Sequence, residues 1–185
     1  MLAALAAVPR SGFVPPDSLE AVDADLPVPL PCDQTTSQPS LVALMVEALR
    51  VGPDDRVLEI GTGYGFEAAV LSRLAAQVWS VEWFDHLAEA ASANLARFGA
   101  DNVHVVTGDG RRGLPEHAPF DAVVVAARAD DVPSALADQV ADGGRVVLPL
   151  GPAGQEECVV LVKRAGRLER AGSLGPVRFV PLQGE

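Results

Sequence analysis

An apolar run, Val57-Leu58-Glu59-Ile60, leads directly into Gly61-Thr62-Gly63-Tyr64-Gly65, and the next apolar run, Val78-Trp79-Ser80-Val81, ends on Glu82. Few architectures accept that order of events. A nearly continuous apolar strand needs cover on both faces, and glycines behind it let the backbone turn and approach a ligand before a helix begins. The alternation continues along the chain. Strands are expected at Arg56–Ile60, Val78–Trp83, Val103–Thr107, Ala122–Ala127 and Arg145–Leu150. Helices are expected at Leu41–Val51, Phe66–Ala76, Asp85–Phe98 and Val132–Val140. Two further strands, near Cys158–Lys163 and Arg167–Ala171, follow with only Gly166 to turn between them. The expectation is an α/β fold: an open, doubly wound, mostly parallel Rossmann-like sheet closed by antiparallel C-terminal strands.

A chain of 185 residues, 49% hydrophobic and 21% charged, suits one domain spanning 1–185. Residues 1–40 read as an N-terminal arm over the active site. From Arg10 to Pro39 the prolines make that arm extended rather than sheet or helix. Met1–Val8 is apolar without a basic lead-in or cleavage site and reads as a helix, not a signal peptide. With 14 Lys+Arg against 25 Asp+Glu the net charge is −11, which repels phosphate backbones and argues against a nucleic-acid partner. No apolar run is long enough to span a bilayer. Two cysteines and three scattered histidines suggest neither a disulfide framework nor a metal site. A cytoplasmic, metal-free protein is expected.

Gly61, Gly63 and Gly65 form G-x-G-x-G rather than the dinucleotide pattern G-x-G-x-x-G, which weakens a nicotinamide dehydrogenase reading. Glu82 stands about 20 residues beyond the first glycine, where a carboxylate takes ribose hydroxyls. Glu59 either orients the glycine turn or receives the ammonium of a bound amino acid. Asp109, between Gly108 and Gly110, either accepts from an adenine amino group or forms an ordinary turn. All these positions fall at carboxyl ends of strands, where open α/β sheets bind ligands.

Asp33-Gln34-Thr35-Thr36-Ser37-Gln38-Pro39 gathers three hydroxyls and two amides before a helix. Ser37 or Ser40 can cap that helix, with Pro39 in its first turn, or the hydroxyls can surround a substrate carboxylate.

Several segments together resemble the protein-L-isoaspartate O-methyltransferase family. They run from Val8-Pro9-Arg10-Ser11-Gly12-Phe13-Val14-Pro15 and Gln34-Thr35-Thr36-Ser37-Gln38-Pro39, through Val57–Gly63, to Gly108-Asp109-Gly110. They continue with Pro119-Phe120-Asp121-Ala122, Gly143-Gly144-Arg145 and the closing Val177-Arg178-Phe179-Val180-Pro181-Leu182. The resemblance implies S-adenosylmethionine as cofactor, S-adenosylhomocysteine as product and no metal. It places Glu59, Gly61, Thr62 and Gly63 at the methionine side, Glu82 with Trp83 at the ribose, and Asp109 with Gly110 at the adenine. Ser37, with Thr35 and Thr36 beside it, matches the family's active-site hydroxyl.

The implied reaction methylates an isoaspartyl or aspartyl carboxylate of a protein or peptide, and the ester collapses to a succinimide, a protein repair. Two alternatives share the cofactor: a tailoring enzyme making an aspartimide in a ribosomal peptide, and a non-catalytic cofactor-binding paralogue. The chain departs from the family's usual residues at Asp33, Thr36, Tyr64 and Glu67, where glycine, isoleucine, serine and glutamine are common.

Overall fold

The computed structural model describes residues 1–184. Its centre is a seven-stranded sheet. The strands are β3 (Arg56–Ile60), β4 (Gln77–Glu82), β5 (Val103–Thr107), β6 (Phe120–Val125), β7 (Val140–Leu150), β8 (Glu157–Arg164) and β9 (Arg167–Pro176), in spatial order β5-β4-β3-β6-β7-β8-β9. Pairings from β5 to β7 are parallel; β8 and β9 join antiparallel. The chain builds outward from β3 through β4 to β5, then returns to place β6 on the other side of β3. That reversal opens a crevice at the carboxyl ends of β3, β4 and β6.

The two faces are covered unequally. The helices α1 (Leu2–Ala6), α2 (Pro39–Leu49), α3 (Phe66–Ser72) and α4 (Asp85–Phe98) contribute to one core, with Met45, Leu71 and Leu95 buried against Val57, Val124 and Val147. The other face is closed by the short α5 (Ser134–Gln139), which carries Leu136, and by loops that bring Leu114 over the same core of Leu58, Val123 and Val146.

Element ends differ from expectation for identifiable reasons. α3 stops at Ser72 because the Asn102 side chain takes the carbonyls of Ser72 and Ala75, at 3.0 and 3.1 Å, turning the chain toward β4. β9 runs to Pro176 because it pairs along the whole of β8, across two register shifts. α2 begins at Pro39, with Gln38 rather than Ser37 or Ser40 at its N-cap.

The arm corrects an expectation. Instead of one extended segment it holds two 3₁₀ turns, Arg10–Phe13 and Pro16–Ala21, and a hairpin of β1 (Val28–Leu30) and β2 (Gln34–Thr36). Proline forbids long regular elements here but permits these short ones. Phe13 anchors the arm, fully buried, with its ring 5.6 Å from that of Phe98 and 6.2 Å from that of Phe66.

Candidate active site

The crevice is a cleft of about 820 Å³ not filled by atoms and open to solvent. Gly61 to Tyr64 and Phe66 form one wall, Glu82 to Phe84 a second, and Gln34 to Thr36 of β2 with the following Ser37 a third. Gly110, Ala126 and Ala127 lie on its remaining sides, with Val180 to Gln183 from the C-terminal tail. Tyr64 is part of the wall and does not close the space.

The glycine loop needs its glycines. Gly61 and Gly63 have φ of 95° and 56°, and a side chain on Gly63 would meet Leu30 of the hairpin at 3.2 Å. The arm therefore rests directly on the loop. Glu82, buried at the end of β4, accepts from the Gly63 N–H at 2.8 Å and from the Phe84 N–H at 3.1 Å. Both carboxylate oxygens are thus aimed by backbone, and each keeps a lone pair for another donor.

Beneath the loop, the Glu59 carboxylate accepts from Ser80 Oγ at 2.5 Å, and Ser80 Oγ is 2.5 Å from Thr62 Oγ1. Glu59 is fully buried and is not part of the cleft wall. Thr62 reaches both the wall and this chain. Asp109 likewise stays on its own turn: it accepts from the Arg111 N–H at 2.9 Å and pairs with Arg112 at 3.6 Å, while Gly110 forms the wall. Trp83 stands on the wall, partly exposed.

The hydroxyl segment divides into unlike parts. Thr36 is buried and its Oγ1 accepts from the Val28 N–H at 3.2 Å and from Arg10 at 3.1 Å. Ser37 and Thr35 line the same cleft, and neither side chain is engaged in a hydrogen bond within the described residues. Arg10 organises this wall. Its buried guanidinium donates to the carbonyls of Val22, Ala24 and Leu26 at 3.2, 2.9 and 2.7 Å, and to the Ser37 carbonyl at 3.5 Å. Burial lowers its pKa and nearby Asp25 opposes that shift.

Two contributors were marked in the sequence only through the family resemblance. Glu67, at the start of α3, lines the cleft while more than nine-tenths buried, and its Oε1 has no hydrogen-bond partner. Burial pushes its pKa up to about 8. Burial likewise raises Glu59 well above the carboxylate range, helped by Glu67 and Glu82 and opposed by the Ser80 bond. The second is the tail. Leu182 N–H donates to the Arg128 carbonyl and Arg128 N–H to the Val180 carbonyl, both at 2.8 Å, which lays the tail along the carboxyl end of β6. Its sequence was recognisable, but nothing local in it said that it would wall a cleft.

Among the described residues no cluster of three or more His, Cys, Asp or Glu is placed to hold a metal, and no helix is long and apolar enough to cross a membrane.

The profile of the family described as protein-L-isoaspartate(D-aspartate) O-methyltransferase matches residues 1–185. Protein-L-isoaspartate O-methyltransferases of Methanoregula boonei and Myxococcus xanthus are 48% and 46% identical over all of this chain, which covers 85% and 89% of their lengths. A solved protein-L-isoaspartate O-methyltransferase superposes with a TM-score of 0.84 at 33% identity over 96% of this chain; the chain spans 59% of that protein. A Plasmodium falciparum protein of that name, solved with S-adenosyl-L-homocysteine, shares the fold at a TM-score of 0.86 and 22% identity, over 98% of this chain and 88% of its own.

Proposed function

The chain belongs to the protein-L-isoaspartate(D-aspartate) O-methyltransferase family, and from that premise we propose which of its residues carry the methyl transfer. The activity is S-adenosylmethionine-dependent methylation of a carboxylate on a polypeptide, and the acceptor is an isoaspartyl or aspartyl side chain presented for repair. The cleft fits the cofactor on its own terms. It offers an oriented carboxylate in Glu82, a glycine loop that a side chain would obstruct, apolar walls, and a buried Glu67 carboxyl with one unpartnered oxygen.

Glu82 accepts the ribose hydroxyls, with Trp83 beside them. Gly61, Thr62 and Gly63 approach the methionine portion, and Glu59 fixes them through Ser80. Gly110 carries the adenine end, and Asp109 acts through the turn it caps. Bound there, S-adenosylmethionine supplies a methyl group already activated by its sulfonium.

An ionised acceptor carboxylate needs no general base, so the chain's task is alignment and exclusion of water. Ser37 and Thr35 donate neutral hydrogen bonds to the acceptor carboxylate. Thr36, occupied by Arg10 and the Val28 N–H, holds the segment in place. Neutral donors suit this step because a cation bound to the attacking oxygen would withdraw the electrons it must share. The arm, residues 1–40, is the cover under which an extended peptide enters. In the methyl ester the leaving group is improved, and a neighbouring backbone nitrogen displaces methanol to give the succinimide that water reopens.

The observation that carries this reading is the meeting of Ser37 and Thr35 with the glycine loop and Glu82 in one cleft. Mass spectrometry of an isoaspartyl peptide incubated with protein and S-adenosylmethionine tests it. The expected result is a transient gain of one methylene followed by conversion toward the aspartyl form. Tight cofactor binding without any mass gain would replace it with the non-catalytic reading.

A further inference from the structure

At the amino ends of the parallel strands, away from the cleft, the end of α2 borders a face of β7–β9. A groove there encloses about 840 Å³ not filled by atoms and open to solvent, with Arg50, Arg145 and Arg164 around Val160, Val162 and Leu174. None of these residues belongs to the cleft wall.

Three arginines around one groove are unexpected in a chain whose acids exceed its bases by 11 charges. Elsewhere its shielded cations have partners. Arg10 serves backbone carbonyls, Arg56 donates to the His117 carbonyl at 2.5 Å and lies over Trp79, and Arg128 pairs with Asp130 at 2.6 Å. Lys163 donates to the carbonyls of Ala137 and Val140 at 2.9 and 2.8 Å. Arg145 breaks that pattern. It is half-buried on β7 and makes no hydrogen bond or ion pair among the described residues, and burial together with Arg50 and Arg164 lowers its pKa. Arg50 is also without a side-chain partner and sits in left-handed backbone at φ 54° past the end of α2, where glycine is the unstrained choice. Arg164 has one exposed ion pair, to Glu169 at 3.4 Å. A cation after a helix accounts for Arg50 alone; it leaves Arg145 and Arg164 beside it unexplained.

Like charges gathered over a partly apolar floor are stabilised by a shared counter-anion, and guanidinium forks match phosphate oxygens in pairs. We propose that the groove bounded by Arg50, Arg145 and Arg164 binds a small molecule bearing a phosphate or polyphosphate group, its less polar part lying on Val160, Val162 and Leu174. The site is separate from methyl transfer in both residues and position, so either can fail without the other.

Calorimetry on the full chain saturated with S-adenosylhomocysteine, which keeps adenosine out of the cleft, tests this with tripolyphosphate and then ATP as probes. The expected result is saturable one-to-one binding of at least one probe in physiological salt, weakened tenfold or more by Arg145→Gln and by Arg50→Gln. Preference for ATP would assign the apolar floor to a nucleoside; equal binding would assign recognition to the phosphates alone. Arg50 is exposed, so its variant keeps the test valid if Arg145→Gln does not fold. No saturable binding, binding untouched by Arg50→Gln, an equal loss with Arg97→Gln on α4 at the opposite edge of the sheet, or tighter capture of polyglutamate than of either probe would each overturn the proposal.

Discussion

The Gly63 N–H donates to the Glu82 carboxylate at 2.8 Å, which makes the loop after β3 and the end of β4 one rigid unit. The Phe84 N–H holds the other carboxylate oxygen. A glutamine at this position would present only one acceptor to two backbone donors. Glu82→Ala is expected to weaken S-adenosylhomocysteine binding by about 1–3 kcal/mol. Glu82→Gln should lose nearly as much and also lower the melting temperature. Wild-type affinity in the glutamine variant, measured by calorimetry, would remove Glu82 from the ribose site.

Arg10 ties three carbonyls of the arm to Thr36 and Ser37. Hydrogen bonds from a charged donor are worth about 1.5–3 kcal/mol each, and several share this one group. Arg10→Ala is expected to cost about 2–4 kcal/mol of stability and to raise the peptide KM. S-adenosylhomocysteine affinity should shift far less, because the cofactor walls come from β3 and β4. Arg10→Lys should recover little, since an ammonium cannot span so many acceptors. A lower melting temperature with an unchanged peptide KM would mean that the order of the arm does not reach the acceptor.

Adjacent hydroxyls should behave oppositely. Thr36→Val keeps the shape but strands the Val28 N–H and one Arg10 donor, a loss of about 1–3 kcal/mol in stability. Ser37 is not the N-cap of α2, and its side chain holds nothing in the fold. Ser37→Ala should therefore stay within about 0.5 kcal/mol of the parent stability while turnover on an isoaspartyl peptide falls roughly tenfold to a hundredfold. Full turnover in Ser37→Ala would leave Thr35 or the backbone to hold the carboxylate.

Most of the sheet was legible because parallel strands covered on both faces must be apolar throughout, as in Val57–Ile60 and Ala122–Val125. The glycine loop was legible for the same local reason, since φ of 95° at Gly61 is a backbone demand that sequence records. The arm was not. Its prolines announce what cannot form, while the hairpin is held by Arg10 and Thr36 from opposite ends of the segment. Glu59 and Asp109 show the other limit: spacing brought both to the rim, but their hydrogen-bond partners, Ser80 and the Arg111 N–H, come from the fold and the turn. The arginine groove was invisible in sequence because β7, β8 and the end of α2 contribute one cation each.

Glu67 gives the cleft a pH dependence. Its carboxyl titrates near 8 in the fold against an ordinary value of 4.5, because burial disfavours the charge. Between those values the folded chain holds a proton that the unfolded chain has released, so stability falls as pH rises, by at most about 1.4 kcal/mol per unit for one such group. The advantage is complete below the lower value and gone above the upper one. Glu67→Gln should gain stability over the parent between pH 5.5 and 8.5 in denaturant unfolding, although Glu59, also raised, keeps some slope in both proteins. Binding should move the other way. An ionised Glu67 favours a cation in the cleft, so the parent should bind S-adenosylmethionine more tightly at pH 8.5 than at 6.5, with a smaller change for S-adenosylhomocysteine, which lacks the sulfonium charge. Glu67→Gln should flatten that difference. Identical pH profiles for the two proteins would mean that the Glu67 oxygen never meets the cationic end of the ligand.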